Sequence, residues 1–257
     1  MKLKLKAPAK INLGLSILGK LKNGWHEVET IYTQIDLFDL IELTNIKEKK
    51  IDFPDKKNLV YKVAELLIKD RGVRITLKKK IPIGSGLGGG SSDAAQVLMG
   101  LNKLWELNLS QKELINLGKK LGSDVAYFVV GGTQLEVQGG DKAGEFENLG
   151  KLISGWLVVC WPEIFINSKK AYKKIEYEKA GKDEVLWYND FENWTFNQFP
   201  EIKKIKEIML KTGAEKSLMS GKGSVVWGAY NQREKAEKTF KRLKKVYQNT
   251  WLMEKND

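Results

Sequence analysis

The chain has 257 residues, of which 42% are hydrophobic, 10% aromatic and 30% charged. That mix excludes a disordered chain, and at about 100–200 residues per domain the length fits one large or two small domains. A single cysteine, Cys160, excludes an internal disulfide and a multi-cysteine metal cluster, and a single histidine, His26, excludes paired-histidine zinc motifs.

The 44 basic residues exceed the 32 acidic ones, giving a net charge of +12. Only Arg71, Arg74, Arg233 and Arg242 are arginine. The lysines are dispersed among glutamates, the pattern of a solvated surface or of attraction for anionic ligands, with no nucleic-acid-binding motif behind it. The longest apolar run, near Trp156–Trp161, is far short of the roughly 20 residues of a membrane span. The N-terminal stretch lacks the apolar core of a signal peptide, so a cytoplasmic protein is expected.

Residues 2–18 read as a strand. Ala9, Ile11, Leu13, Leu15 and Ile17 alternate with Lys10, Asn12, Gly14 and Ser16, which predicts one apolar face and places Lys10 beside Asn12 on the other. Asn23-Gly24 signals a tight turn that would hold Trp25 and His26 at a strand end. Residues 28–44 predict one or two further strands. Asn58–Arg71 predicts a helix stopped by Gly72.

A short strand over Ile75–Ile81 then runs into the sequence IPIGSGLGGGSSDAA and an amphipathic helix. Gly84, Gly86, Gly88, Gly89 and Gly90 let backbone N–H groups approach a ligand, and the helix that follows adds its free N–H groups and dipole. Together they predict an anion cradle, most often for phosphate, with Ser91 and Ser92 at the helix start. No lysine follows the glycines, which excludes a Walker A loop; Gly84-x-Gly86-x-x-Gly89 fits a dinucleotide pattern, but the following elements do not form the required strand–helix–strand unit.

Ser110-x-x-Glu113 is a capping box for a helix to about Lys120. Gly122-Ser123-Asp124 breaks that helix ahead of an apolar stretch to Val130. Asp124 is either a helix N-cap or a base able to take a hydroxyl proton. Lys10 is either a surface lysine or a cation that stabilises developing negative charge. His26 beside Trp25 suggests an aromatic shelf with a hydrogen-bonding edge.

Past a domain boundary near 150–155, Gly155–Trp161 predicts a buried strand and Ser168 a short helix through Ile175. Glu201–Lys211 predicts a helix ended by Gly213. Leu218–Tyr230 predicts strand, glycine turn and strand, Arg233–Lys245 a basic helix, and Val246–Met253 a last edge strand.

Four stretches in combination carry a resemblance: APAKINLGL with NGWHEVET, PIGSGLGGGSSDAA, GSDVAYFVVGGT and MSGKGS. NDFE at 189–192 and KNLV at 57–60 fit as well. With these the chain resembles the GHMP superfamily of small-molecule kinases, and within it the branch acting on a cytidine-diphosphate-linked methylerythritol.

The resemblance implies a two-domain α+β fold, with an N-terminal glycine-loop domain over 1–153 and a ferredoxin-like C-terminal domain over 154–257. It implies ATP-dependent phosphorylation, with Mg²⁺, of the 2-hydroxyl of 4-diphosphocytidyl-2-C-methyl-D-erythritol on the route to isoprenoid precursors. Asp124 would then be the general base with Lys10 as its partner, Asn12 a substrate-binding residue, Trp25 a stacking surface for cytosine and His26 the reader of the base edge.

Pro82, Gly84, Gly86, Leu87, Gly88, Gly89, Gly90, Ser91 and Ser92 would bind ATP, with Ser92 also near Mg²⁺. Asn58 and Asn102 would line the adenine pocket, and Gly221 and Gly223 the cleft. The implied partners are ATP and the cytidine-diphosphate-linked substrate, without membrane or nucleic acid, for a monomer or weak homodimer.

The chain departs from the family pattern in three places. Trp25 stands where tyrosine is usual, Lys222 replaces a hydroxyl residue between Gly221 and Gly223, and Gln138, Gly139, Gly140 and Asp141 stand where G-x-G-E is usual. Tyr177 is the candidate for a second stacking aromatic. The rival readings are a mevalonate, homoserine or sugar kinase of the same superfamily and a basic nucleic-acid-binding protein.

Overall fold

The computed structural model describes residues 1–22, 24, 26–138, 145–175 and 185–255, and Trp25 and Tyr177 lie outside them. The chain divides into two compact units. One is Met1–Ala9, Leu37–Ile83 and Gly88–Gly131; the other is Lys10–Asp36, Gly84–Leu87 and the chain from Gly132 onward. Two long strands, β1 (Lys2–Lys20) and β2 (His26–Asn45), contribute to both.

In the first unit, β3 (Ile51–Asp52) pairs parallel with β4 (Val73–Lys78), and β4 pairs antiparallel with Leu40–Asn45 of β2. Helices α1 (Leu59–Leu67), α2 (Gly89–Leu104), α3 (Gln111–Leu121) and α4 (Ser123–Val130) complete it. α2 packs against both α1 and α4, and Ala94, Val97, Leu98 and Leu101 of α2, Val60 and Val63 of α1 and Val125 and Phe128 of α4 are all buried.

Ser110 and Glu113 form the expected capping box at the head of α3. α1 ends at Leu67, short of the expected Arg71. Gly72 is not its stop: a Cβ there would stand 1.8 Å from the Glu48 carbonyl oxygen, so this residue is needed for backbone contact rather than for helix termination. The apolar stretch after Gly122 is a helix, and its N-cap is Gly122, so Asp124 lies inside the first turn and the N-cap reading of Asp124 is corrected.

In the second unit, Val28–Thr33 of β2 pairs antiparallel with β5 (Thr133–Gln138), which pairs with β6 (Phe146–Asn148). A four-stranded antiparallel sheet follows, built from β7 (Gly155–Trp161), β8 (Lys216–Met219), β9 (Val226–Tyr230) and β10 (Asn249–Lys255) in the order β10-β7-β9-β8. With α7 (Pro200–Lys211) between β7 and β8, and α8 (Arg233–Lys244) between β9 and β10, this is the β-α-β-β-α-β order of a ferredoxin-like domain.

α5 (Ser168–Lys174) and α6 (Phe191–Gln198) lie in the first crossover, and α6 gave no sequence signal. The cap of α5 is Asn167, whose side chain accepts from Lys170 N, and not Ser168. Cys160 is buried in β7, and burial pushes its thiol up to about 12. Among the described residues no helix is long and apolar enough to cross a membrane.

The alternation in β1 predicts one wet face, but every residue from Ala9 to Ile17 is buried. Lys10 is 5% exposed and Asn12 1%. A lysine and an asparagine on an inward face require polar partners, and those partners define the candidate site.

Candidate functional site

After β4, Ile81 is buried and Pro82 half-buried, and the chain then turns through Gly84, Gly86 and Gly88 with φ of 74°, 90° and 71°. Ser85 and Leu87 between them are buried. Alternate left-handed glycines curl the backbone in the manner of an anion-binding nest. Gly88 is the N-cap of α2 and no side chain caps that helix, so the N–H groups of Gly89, Gly90 and Ser91 open the helix without a capping side chain. Ser92 is fully buried, and its hydroxyl has no hydrogen-bond partner among the described residues.

An ion cluster underpins the head of α2. The Asp39 carboxylate accepts from the backbone N–H groups of Lys80 and Ile81, the latter at 2.9 Å. Lys79 Nζ donates to Asp39 and, at 2.6 Å, to Asp93 Oδ2. Burial is the main influence on the Asp93 carboxyl, pushing it up to about 7 against the opposing pull of Lys79. The end of β4 is thereby tied to α2 just past its first turn. Sequence reasoning missed this cluster, whose three members come from separate stretches of the chain.

Asp124 is half-buried in the first turn of α4. It is close enough to the buried Tyr127 for its charge to add to the effect of burial in pushing that phenol up. Asn58 caps α1 by accepting from Val60 N at 3.0 Å, and Asn102 clamps both the N–H and the carbonyl of Leu109 at 3.0 Å. Both amides of the expected adenine pocket are therefore engaged in local structure.

In the second unit the structure brings together Lys10, Asn12, the loop segment 84–87 and the turn between β8 and β9. Lys10 Nζ donates to Asn12 Oδ1 at 2.6 Å and lies 5.1 Å from the centre of the Tyr32 ring. Asn12 Nδ2 donates to Thr30 Oγ1 at 2.8 Å, Asn12 N donates to Ser220 Oγ at 3.2 Å, and Trp227 Nε1 donates to Asn12 O at 3.0 Å.

Lys10 N donates to Leu87 O at 3.0 Å, fixing the strand to the glycine loop. A Cβ on Gly86 would stand 3.0 Å from Ser220 O and 3.2 Å from Gly223 O, so only glycine lets the loop lie against that turn. Gly221 sits beside the pair, its ideal Cβ position 3.4 Å from Asn12 Oδ1 and 4.0 Å from Lys10 Nζ.

The NDFE segment holds this arrangement together. Asn189 Nδ2 donates to the carbonyls of Met219 and Gly221, both at 2.7 Å. The Asp190 carboxylate accepts from Ile17 N at 2.6 Å, and Glu192 accepts from Met219 N at 2.8 Å and from Lys206 at 2.6 Å. Lys222, the residue that replaces a hydroxyl side chain between Gly221 and Gly223, donates from Nζ to Ile166 O at 2.8 Å and to Ser168 Oγ.

His26 opens β2, and its ring stacks on Tyr172 of α5 with centroids 4.8 Å apart and planes 19° from parallel. Tyr172 in turn sets its edge against Phe191 at 4.9 Å. Burial, helped by Lys20, lowers the pKa of His26. Tyr172 is an aromatic beside His26 that the sequence did not point to, because α5 places it there from far along the chain.

The sequence pattern of the GHMP kinases N terminal domain matches residues 58–132, and that of the GHMP kinases C terminal matches residues 178–249. The chain is 39% identical to the 4-diphosphocytidyl-2-C-methyl-D-erythritol kinase of Bacillus mycoides (strain KBAB4), over 95% of this chain and 93% of that protein. It is 37% identical to the enzyme of the same name from Listeria monocytogenes serotype 4a (strain HCC23), over 98% and 96%. Among solved structures, one of 4-(cytidine 5'-diphospho)-2C-methyl-D-erythritol kinase superposes with a TM-score of 0.86 at 31% identity, covering 97% of this chain and 98% of that one. A homoserine kinase from Cytophaga hutchinsonii, at 20% identity and a TM-score of 0.71 over 98% and 93% of the chains, shares the fold.

Proposed function

The chain belongs to the GHMP kinase family, and on that premise we propose that it transfers the γ-phosphoryl group of ATP to the 2-hydroxyl of 4-diphosphocytidyl-2-C-methyl-D-erythritol. The identity over nearly the whole length to kinases of that name carries the reading. The family matches at 58–132 and 178–249 fall on either side of a domain boundary that we place between residues 153 and 154. We place the reaction in the cytoplasm.

In the proposed reaction, the acceptor oxygen forms a bond to the γ-phosphorus, the bond from that phosphorus to the β,γ-bridging oxygen breaks, and ADP leaves. Asp124 takes the hydroxyl proton. Lys10, aimed by Asn12 Oδ1 at 2.6 Å, faces the negative charge that develops. Phosphoryl transfer is mostly positioning and charge stabilisation, so holding donor and acceptor in line supplies about 7–11 kcal/mol and the base a further ~10²–10⁴-fold.

The glycine loop with Pro82, Gly84, Gly86, Leu87, Gly88, Gly89, Gly90 and Ser91 cradles the phosphates. The buried, unpartnered hydroxyl of Ser92 is the kind of group a phosphate oxygen or Mg²⁺ completes. Magnesium, when bound with the nucleotide, neutralises charge on the β- and γ-phosphates. Neutral His26, stacked on Tyr172, reads the cytosine edge, with Trp25 as a further stacking ring.

ADP release from the purified protein with Mg²⁺ and ATP tests this reading, with mevalonate and homoserine as competing acceptors. Turnover on the cytidine-diphosphate substrate alone is expected. Turnover on another acceptor in its place would keep the family and remove the substrate.

A further inference from the structure

Lys222 is half-buried in the turn between β8 and β9. Among the described residues it makes no ion pair, whereas Lys206 and Lys79, which are also partly buried, both do. Its ammonium has three donors. Two are taken by neutral acceptors, Ile166 O at 2.8 Å and Ser168 Oγ, which fix the direction of the side chain and leave its charge unmatched among the described residues. Burial accordingly pulls its pKa down. A desolvated cation without a counter-ion is costly unless an anion arrives.

The surroundings point to which anion. The neighbouring Gly221 lies beside Asn12 and Lys10, and Gly223 O and Ser220 O lie against Gly86 of the glycine loop. Ile166, the residue that Lys222 grips, follows Phe165, whose ring meets the Gly84 Cβ position at 3.1 Å. The turn is therefore bordered by a buried lysine, Lys10, and by backbone curled for an anion.

We propose that Lys222 is a phosphate-binding residue, its ammonium pairing with phosphoryl oxygens of a bound ligand. The inference rests on the kinase reading above. Two sources share this chemistry, the phosphates of ATP and the diphosphate of the cytidine-linked acceptor. A serine or threonine at this position is too short to grip both Ile166 and Ser168 and carries no charge.

The test compares the full-length wild-type protein with Lys222→Met, Lys222→Gln and Lys222→Arg by calorimetric titration of Mg-ATP and of the acceptor, each alone, at two salt concentrations. Lys222→Met and Lys222→Gln are expected to bind one ligand at least about tenfold more weakly, the size of a lost charge-assisted contact. Lys222→Arg is expected to retain most of the affinity, and the salt dependence to shrink in the two neutral variants. A change confined to ATP assigns the contact to its phosphates, and one confined to the acceptor assigns it to the diphosphate.

Lys222→Gln keeps a hydrogen-bond donor without charge, so wild-type affinity in that variant makes the lysine a neutral strut and overturns the proposal. Affinities within twofold of wild type in both neutral variants overturn it as well. If the wild type releases ADP normally and the variants are unchanged, this inference alone fails. If the wild type binds neither ligand, the kinase reading fails and takes this inference with it.

Discussion

Lys10 donates to Asn12 Oδ1 at 2.6 Å from the same inward face of β1, two residues away. Asn12 is in turn held by Thr30 and Ser220, so the orientation of the buried ammonium is set by a residue with no freedom of its own. Asn12→Leu removes this acceptor and leaves buried polar groups to be re-satisfied, at about 1–3 kcal/mol each. We expect kcat to fall at least ~10-fold and the urea midpoint to drop. A folded variant with wild-type kcat would show that the pair has no part in turnover.

Asp124→Asn keeps the shape of the side chain and removes the basic oxygen. A positioned base is worth ~10²–10⁴-fold, so kcat should fall at least ~100-fold with KM nearly unchanged. Steady-state kinetics on both substrates decide it. A near-normal kcat removes Asp124 as the base.

Asn189→Ala deletes the amide that holds the carbonyls of Met219 and Gly221. One buried and one half-buried carbonyl lose their donor, and the turn beside Lys10 loses its anchor. We expect a loss of about 2–4 kcal/mol in stability by denaturant unfolding. In protein that remains folded, kcat should fall more than either KM. An unchanged unfolding midpoint would contradict this view of the NDFE segment.

Burial and the nearby Lys20 lower the pKa of His26 below its ordinary 6.5. The fold therefore favours the neutral ring. The stability this contributes is present above pH 6.5 and lost as pH falls from there through the lowered folded value. Acceptor kcat/KM should be flat from about pH 8 to 6.5 and fall only below that, and His26→Gln should remove its part of the acid limb. A histidine-dependent inflection above 6.5 would argue for a charged ring.

Gly86 has φ of 90°, and a Cβ on it would press on Ser220 O and Gly223 O. Gly86→Ala should cost about 1–2 kcal/mol in stability and raise KM for ATP more than KM for the acceptor. Equal effects on both substrates would place the loop's role elsewhere than at the nucleotide.

Much of this was legible in the chain. Ser110 and Glu113, the glycine run and the Leu218–Tyr230 hairpin are local signals, and local geometry obeys them. β1 misleads because alternation implies a wet face only when that face meets water, and here the polar residues are met by Ser220 and Trp227, more than 200 residues away. α6 carries little amphipathic pattern because its buried residues are few, Phe191 and Thr195. Asn102 shows a local role that its spacing does not announce: its amide accepts from the N–H of Leu109 and donates to the Leu109 carbonyl. Tyr172, Asn189 and the Asp39–Lys79–Asp93 cluster act through distant partners, which periodicity and spacing do not encode.

The lone thiol of Cys160, buried in β7 and pushed up to about 12, is chemically silent while the sheet of β7 to β10 stays closed. Its rate of alkylation thus measures how often that sheet opens. The protein carries a native reporter of its own breathing, readable with and without ATP or acceptor and with no introduced label.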